Sequence, residues 1–186
     1  MHTNDNIITM ENQSYPVSKH SFMYGVYTSV ALIILALIFY VLDLYTETWP
    51  GIISYAALLG GVVMASLHYR NNRMNGFATY GQAFSSGFMA GLYASIIVGI
   101  FTFIFTSLMG EDYTQLLLQK AEENMLKRKP DLSDEELDMA MKFTENMMKP
   151  WWMAFMGMLN YVFFSLIFAL VSAIFIKRPA PEGPAV

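Results

Sequence analysis

Four long stretches of this chain contain no Asp, Glu, Lys or Arg. They lie between Lys19 and Asp43, between Glu47 and Arg70, between Arg73 and Glu111, and between Lys149 and Lys177. A helix that crosses a bilayer needs roughly 20 mainly apolar residues, because the hydrocarbon core is about 30 Å thick. Each stretch is long enough. A helix also satisfies its own backbone groups where no water can do so. The pattern predicts spans at about 22–44, 51–69, 80–109 and 152–176. Composition agrees: 55% of the residues are hydrophobic and 14% charged, where a soluble domain carries about 25% charged residues. A soluble fold would have too little polar surface to cover four such segments.

The first 21 residues are polar and include one Lys. They lack the cationic start, short apolar core and small-residue cleavage site of a signal peptide, so the first span is expected to remain uncleaved. The expected organisation is a polar cytoplasmic tail at 1–21, a single membrane domain at 22–178 and a flexible tail at 179–186. Net charge is −4 and there is no Cys. The charge offers no footprint for nucleic acid, and the missing thiols exclude disulfides and thiol chemistry.

Orientation follows from Lys and Arg in the short loops. Lys19, Arg70, Arg73, Lys177 and Arg178 flank the spans on the side of the two termini, and the loop at 43–50 has none. Both termini are therefore expected in the cytoplasm. Trp49, Trp151 and Trp152 fall at span starts on the opposite side, where amphipathic rings favour the headgroup layer.

The third span carries Ala83, Gly87, Gly91, Ser95 and Gly99 at a constant spacing of four. Such a face lets backbones approach closely, which drives association where lipid removes the hydrophobic force. Gly61, with Ala57 and Ala65, gives the second span a matching row, and Ser165, Ala169 and Ala173 do so for the fourth. These residues are read as helix-packing positions within the bundle, with a homodimer seam as the alternative.

The long loop at 110–150 reads as a helical hairpin. Asp112 is placed to cap a helix running to about Arg128, with Tyr113, Leu117, Ala121 and Met125 on one face. Lys129-Pro130-Asp131 breaks it. Ser133 to Glu136 has the form of a capping box, and Leu137, Ala140, Met141 and Met148 then share a face. The run from Gly76 to Phe84 (GFATYGQAF), the small-residue third span, the acidic paired helices and Met147-Met148-Lys149-Pro150 before a span ending in Lys177-Arg178 resemble one bacterial family. It is the small integral membrane family numbered forty-one ninety-nine among the domains of unknown function, found in Bacteroidetes-type bacteria, and the resemblance covers roughly 20–178. It implies a four-span inner-membrane protein and carries no catalytic residue across.

Little in the chain suggests chemistry. No ionisable Asp, Glu, Lys or Arg lies inside a span, which argues against ion-coupled transport. His2 and His20 fall in the polar tail and His68 near a span end, so the three His are expected to form no metal site. Asn160 is the most polar side chain deep in a span, either bonded across helices or lining a cavity. Seven Met lie between Met139 and Met158. Thioethers suit Cu(I), and they also serve as pliable filler between helices.

The fold class expected is all-α, a four-helix transmembrane bundle with an amphipathic helical hairpin in the long extracytoplasmic loop. The function expected is non-enzymatic, without cofactor: an accessory or scaffold subunit of the bacterial inner membrane that offers its hairpin to an envelope partner. The alternatives are a small oligomeric channel or transporter and, more weakly, a soft-metal binder. The bilayer is the one partner the composition requires, and a homo-oligomer is compatible with the Gly-rich faces.

Overall fold

The computed structural model describes residues 17–44, 47 and 49–180. Most of the expected N-terminal tail, and residues 181–186, lie outside the described residues. Within them the chain is all-helical: α1 (Val17–Val41), α2 (Trp49–His68) with one π-helical turn at Tyr69–Arg73, α3 (Tyr80–Arg128), α4 (Asp134–Met147) and α5 (Pro150–Ile176). α1, α2, α3 and α5 are each long and apolar enough to cross a membrane, and the chain is a multi-pass membrane protein.

Helix ends follow local chemistry. α1 starts at Val17 rather than 22, because its first turns are bonded into the bundle: His20 Nε2 meets the Ala65 carbonyl at 3.1 Å and the Ser21 hydroxyl donates to the Ser86 carbonyl at 3.0 Å. It ends at Val41, where Asp43 turns left-handed at φ 57°. The Leu44 N–H then reaches the Phe39 carbonyl and the Asp43 N–H the Tyr40 carbonyl, the paired bonds that close a helix C-terminus. Thr79 and Gln82 form a capping box at the start of α3, and Ser133 and Glu136 form another at α4. Each box satisfies donors that the first helical turn leaves free.

α3 is the central helix and packs against α1, α2 and α5. Two polar bonds lock it to α2: the Ser66 hydroxyl donates to the Ala83 carbonyl at 2.7 Å and the Ser86 hydroxyl to the Ala65 carbonyl at 3.2 Å. The apolar core between them is small, with Leu32, Leu58 and Val98 at one level and Ala83, Ala173 and Ile176 at another. The outward faces stay apolar, with Ile100 58% and Phe175 81% exposed. A helix apolar on every side is one that lipid covers where protein does not.

The end of the bundle near the termini is stitched together by backbone. Ala78 and Arg178 exchange both N–H groups at 2.8 Å, and the Arg70 guanidinium donates to the Ile176 carbonyl at 3.0 Å. At the other end the first helical segment of α3 runs to 109, as the charge-free stretch predicts. A second segment follows to Arg128 after a break at Gly110, whose φ of 73° and ψ of −162° are not helical. Asp112 therefore sits inside this second segment rather than capping it. The redirection is made two residues earlier, by the one residue type that takes positive φ at no steric cost.

Candidate functional site

The hairpin formed by the end of α3 and by α4 is the polar element that the apolar bundle holds outside itself. Its inward face is the one that periodicity predicts. Tyr113, Leu117, Ala121 and Met125 of α3, and Leu137, Ala140, Met141 and Met148 at α4, are all half-buried. The turn falls at Pro130-Asp131. Charges stay on the surface, where Lys142 pairs with Asp138 at 2.9 Å and Lys120 with Glu123 at 3.6 Å. Exposed pairs of this kind contribute little to stability. Two hydrogen bonds from Ser133, first its backbone N–H and then its hydroxyl, hold the Glu136 carboxyl below its usual pKa.

The sequence reading missed a second apolar row on α4. Met139 is 69% exposed, Phe143 65% and Met147 38%. They recur every four residues, so they form one stripe on the helix surface, turned away from the half-buried face. The signal lies in the spacing of 139, 143 and 147, which defines a helix face of its own beside the inward one.

The helix-packing positions all lie at contacts within the chain. A Cβ on Gly61 would collide with Thr28 of α1, and one on Gly87 with Ser66 and Val62 of α2. One on Gly91 would collide with Ser165 of α5, and one on Gly99 would press on Met158. Ala83 and Ser95 are fully buried. The ridge is therefore occupied by α2 and α5 of the same chain.

Asn160 accepts a hydrogen bond from the Tyr55 hydroxyl, joining α5 to α2. The residue is exposed on the bundle flank, so its role is the bond across helices and not the lining of an interior cavity. Four of the seven clustered Met residues have different surroundings. Met153 lines a cleft, Met156 is exposed, Met158 packs near Gly99 and Met139 stands on the outer stripe. Met153 and Met156 thus part company despite their spacing, because the helix turns one towards the bundle and the other away.

His20 is not in a polar tail. It is 5% exposed and stacks on His68 with ring centroids 5.1 Å apart and planes 10° from parallel. Tyr24 and Tyr69 pack against it at 5.0 and 5.4 Å. Asn72 Nδ2 donates to His68 Nε2 at 2.6 Å, and His68 Nδ1 is buried without a hydrogen-bond partner among the described residues. Ring nitrogens point in the plane of their ring, so two stacked imidazoles do not aim lone pairs at a common metal. The pair was unreadable from sequence, because positions 20 and 68 meet only once two antiparallel spans are known to be neighbours.

Comparison with protein families matches the chain to a profile described as "Protein of unknown function (DUF4199)", over residues 23–178. The chain belongs to this family. The DUF4199 region takes in α2, α3, α4, α5 and most of α1, and it ends on Arg178, the residue that pairs with Ala78. The hairpin, with its inward and outward stripes, therefore lies wholly inside the DUF4199 region. No curated protein and no solved structure matches the chain.

Proposed function

We propose that this chain is a non-enzymatic protein of a bacterial inner membrane, with both termini cytoplasmic, whose bundle anchors the hairpin as a docking face for an envelope protein. The observation that carries this reading is the exposed Met139, Phe143 and Met147 stripe on α4, turned away from the half-buried face. A solvated helix gains nothing from exposing three large apolar side chains in register, whereas amphipathic helices commonly dock through anchors at this spacing. Methionine suits such a face, since its flexible thioether adapts to a partner's shape. What speaks against a pathway through a single copy is the centre of the bundle, where Leu58 and Val62 are fully buried.

The test is site-specific photocrosslinking in cells. A crosslinker at Phe143 should capture a discrete envelope protein, and one at Asp138 should not. Phe143→Asp with Met139→Asp should abolish co-purification of that protein and leave the thermal midpoint of the purified chain unchanged. A midpoint that falls sharply, with no adduct from position 143, would make the stripe part of the fold and end the docking reading.

A further inference from the structure

A cleft of about 330 Å³ opens at the hairpin end of the bundle, among α1, α2, α3 and α5. Ligand sites start at roughly 300 Å³, so this one suits a small molecule or one lipid-like chain. Ala36, Leu37 and Phe101 give it apolar walls, and Glu47 contributes a carboxylate from the connection between α1 and α2. Tyr40, Phe105 and Tyr113 form an edge-to-face triad along one side, with centroids 5.2, 6.0 and 6.3 Å apart.

Three hydroxyls along the cleft have their protons committed within the protein. The Ser54 hydroxyl donates to the Pro50 carbonyl at 3.0 Å, the Thr106 hydroxyl to the Thr102 carbonyl at 2.7 Å, and the Tyr40 hydroxyl to Met109 Sδ at 3.1 Å. A hydroxyl that has given away its proton keeps only lone pairs, and an ionised carboxylate has no donor at all. Among the described residues no Lys, Arg or His lines the cleft. These side chains therefore offer acceptors and aromatic faces. An anion finds no cation to neutralise it, whereas an organic cation meets a carboxylate, lone pairs and ring quadrupoles.

We propose that this cleft binds an amphiphilic organic ammonium, with its apolar body against Leu37 and Phe101 and its charged head at Glu47. The amine-headed phospholipids of the surrounding bilayer and free alkylamines share that chemistry. The site is separate from the hairpin stripe, since neither Met139 nor Phe143 lines it.

Equilibrium binding of radiolabelled dodecylammonium and of dodecanol to the full chain in nonionic detergent tests the proposal. The ammonium should bind saturably and at least about tenfold more tightly than the alcohol, because only the charged head gains from Glu47 and the rings. Glu47→Gln should bring the ammonium down to the level of the alcohol and leave the alcohol unchanged. Gly51 lines the cleft and has open space where a side chain would stand. Gly51→Leu should therefore abolish binding of both while circular dichroism shows an intact fold. Displacement of the ammonium by phosphatidylethanolamine but not phosphatidylglycerol would assign the ligand to the lipid headgroup. No displacement by either lipid, with the Glu47 dependence intact, would assign it to a free amine. Equal binding of ammonium and alcohol, tighter binding of dodecyl sulfate, or an ammonium affinity indifferent to Glu47→Gln would each overturn the proposal.

Discussion

Gly91 shows what single residues contribute to this bundle. It is buried, and a side chain there would strike Ser165 of α5 and touch Val62 of α2. Inside a membrane this close approach replaces the hydrophobic force that would hold helices together in water. Gly91→Leu should destabilise the purified protein by about 1–3 kcal/mol or more, the usual cost of overpacking. Leu92→Val, one position round the helix, should cost less than about 1.5 kcal/mol. Thermal unfolding in one detergent compares the two, and equal midpoints would mean that α3 can shift without loss. The packing row was legible in the sequence because small residues at a spacing of four define a face whatever lies opposite. The reciprocal Ser66 and Ser86 bonds and the His20–His68 stack were not legible. Each depends on which helix is the neighbour and at what height, and no pattern within one helix encodes that.

At the scale of elements, α4 depends on its cap. Ser133 and Glu136 bond reciprocally, with the Ser133 N–H reaching Glu136 Oε2 at 3.0 Å and the Glu136 N–H reaching Ser133 Oγ at 3.4 Å. The carboxylate also lies in the first turn, where the helix dipole favours negative charge. Its pKa is lowered from 4.5 in the folded hairpin, chiefly by the Ser133 N–H. The stabilisation is thus fully present above the unfolded value and is lost as pH falls through the lower folded one. Amide exchange in the first turn of α4 should therefore lose protection on acidification below about pH 4.5, ahead of the spans. Glu136→Gln preserves the capping geometry and should remove that pH dependence. If the variant and the original chain respond alike, the carboxylate contributes nothing through its charge. The capping box was readable because its residues are local and their spacing is fixed by helix geometry. The entry to the hairpin was not, because Asp112 offers a plausible cap while the actual redirection is a backbone event at Gly110.

For the molecule as a whole, length and hydropathy were enough to give four spans, and charge was enough to suggest how they are inserted. The structure adds a physical reason for the two ends to differ. Arg70 is committed to the Ile176 carbonyl, and the Arg178 guanidinium lies 5.6 Å from the centre of the Phe77 ring. Arg70 and Arg178 are thus tied to the bundle beside the ends of apolar helices, and positive charge close to a span end is what counts in setting orientation. At the opposite end the charges lie mainly on the hairpin, beyond Gly110. Acidic residues there exceed basic ones, ten against six over 110–150, and acidic residues weigh little in the rule. Reporter fusions should therefore read cytoplasmic after Val186 and external near Asp131. Replacing Arg70, Arg73, Lys177 and Arg178 by Gln while adding two Lys to the connection at 43–50 should produce a mixed or inverted population, because those residues supply most of the asymmetry. A variant that keeps a single orientation would show that the bulk of the hairpin, and not the charge at the opposite end, decides which side it faces. The docking proposal needs the external placement, so an unaltered chain that reads external at Val186 would remove the hairpin from the envelope altogether.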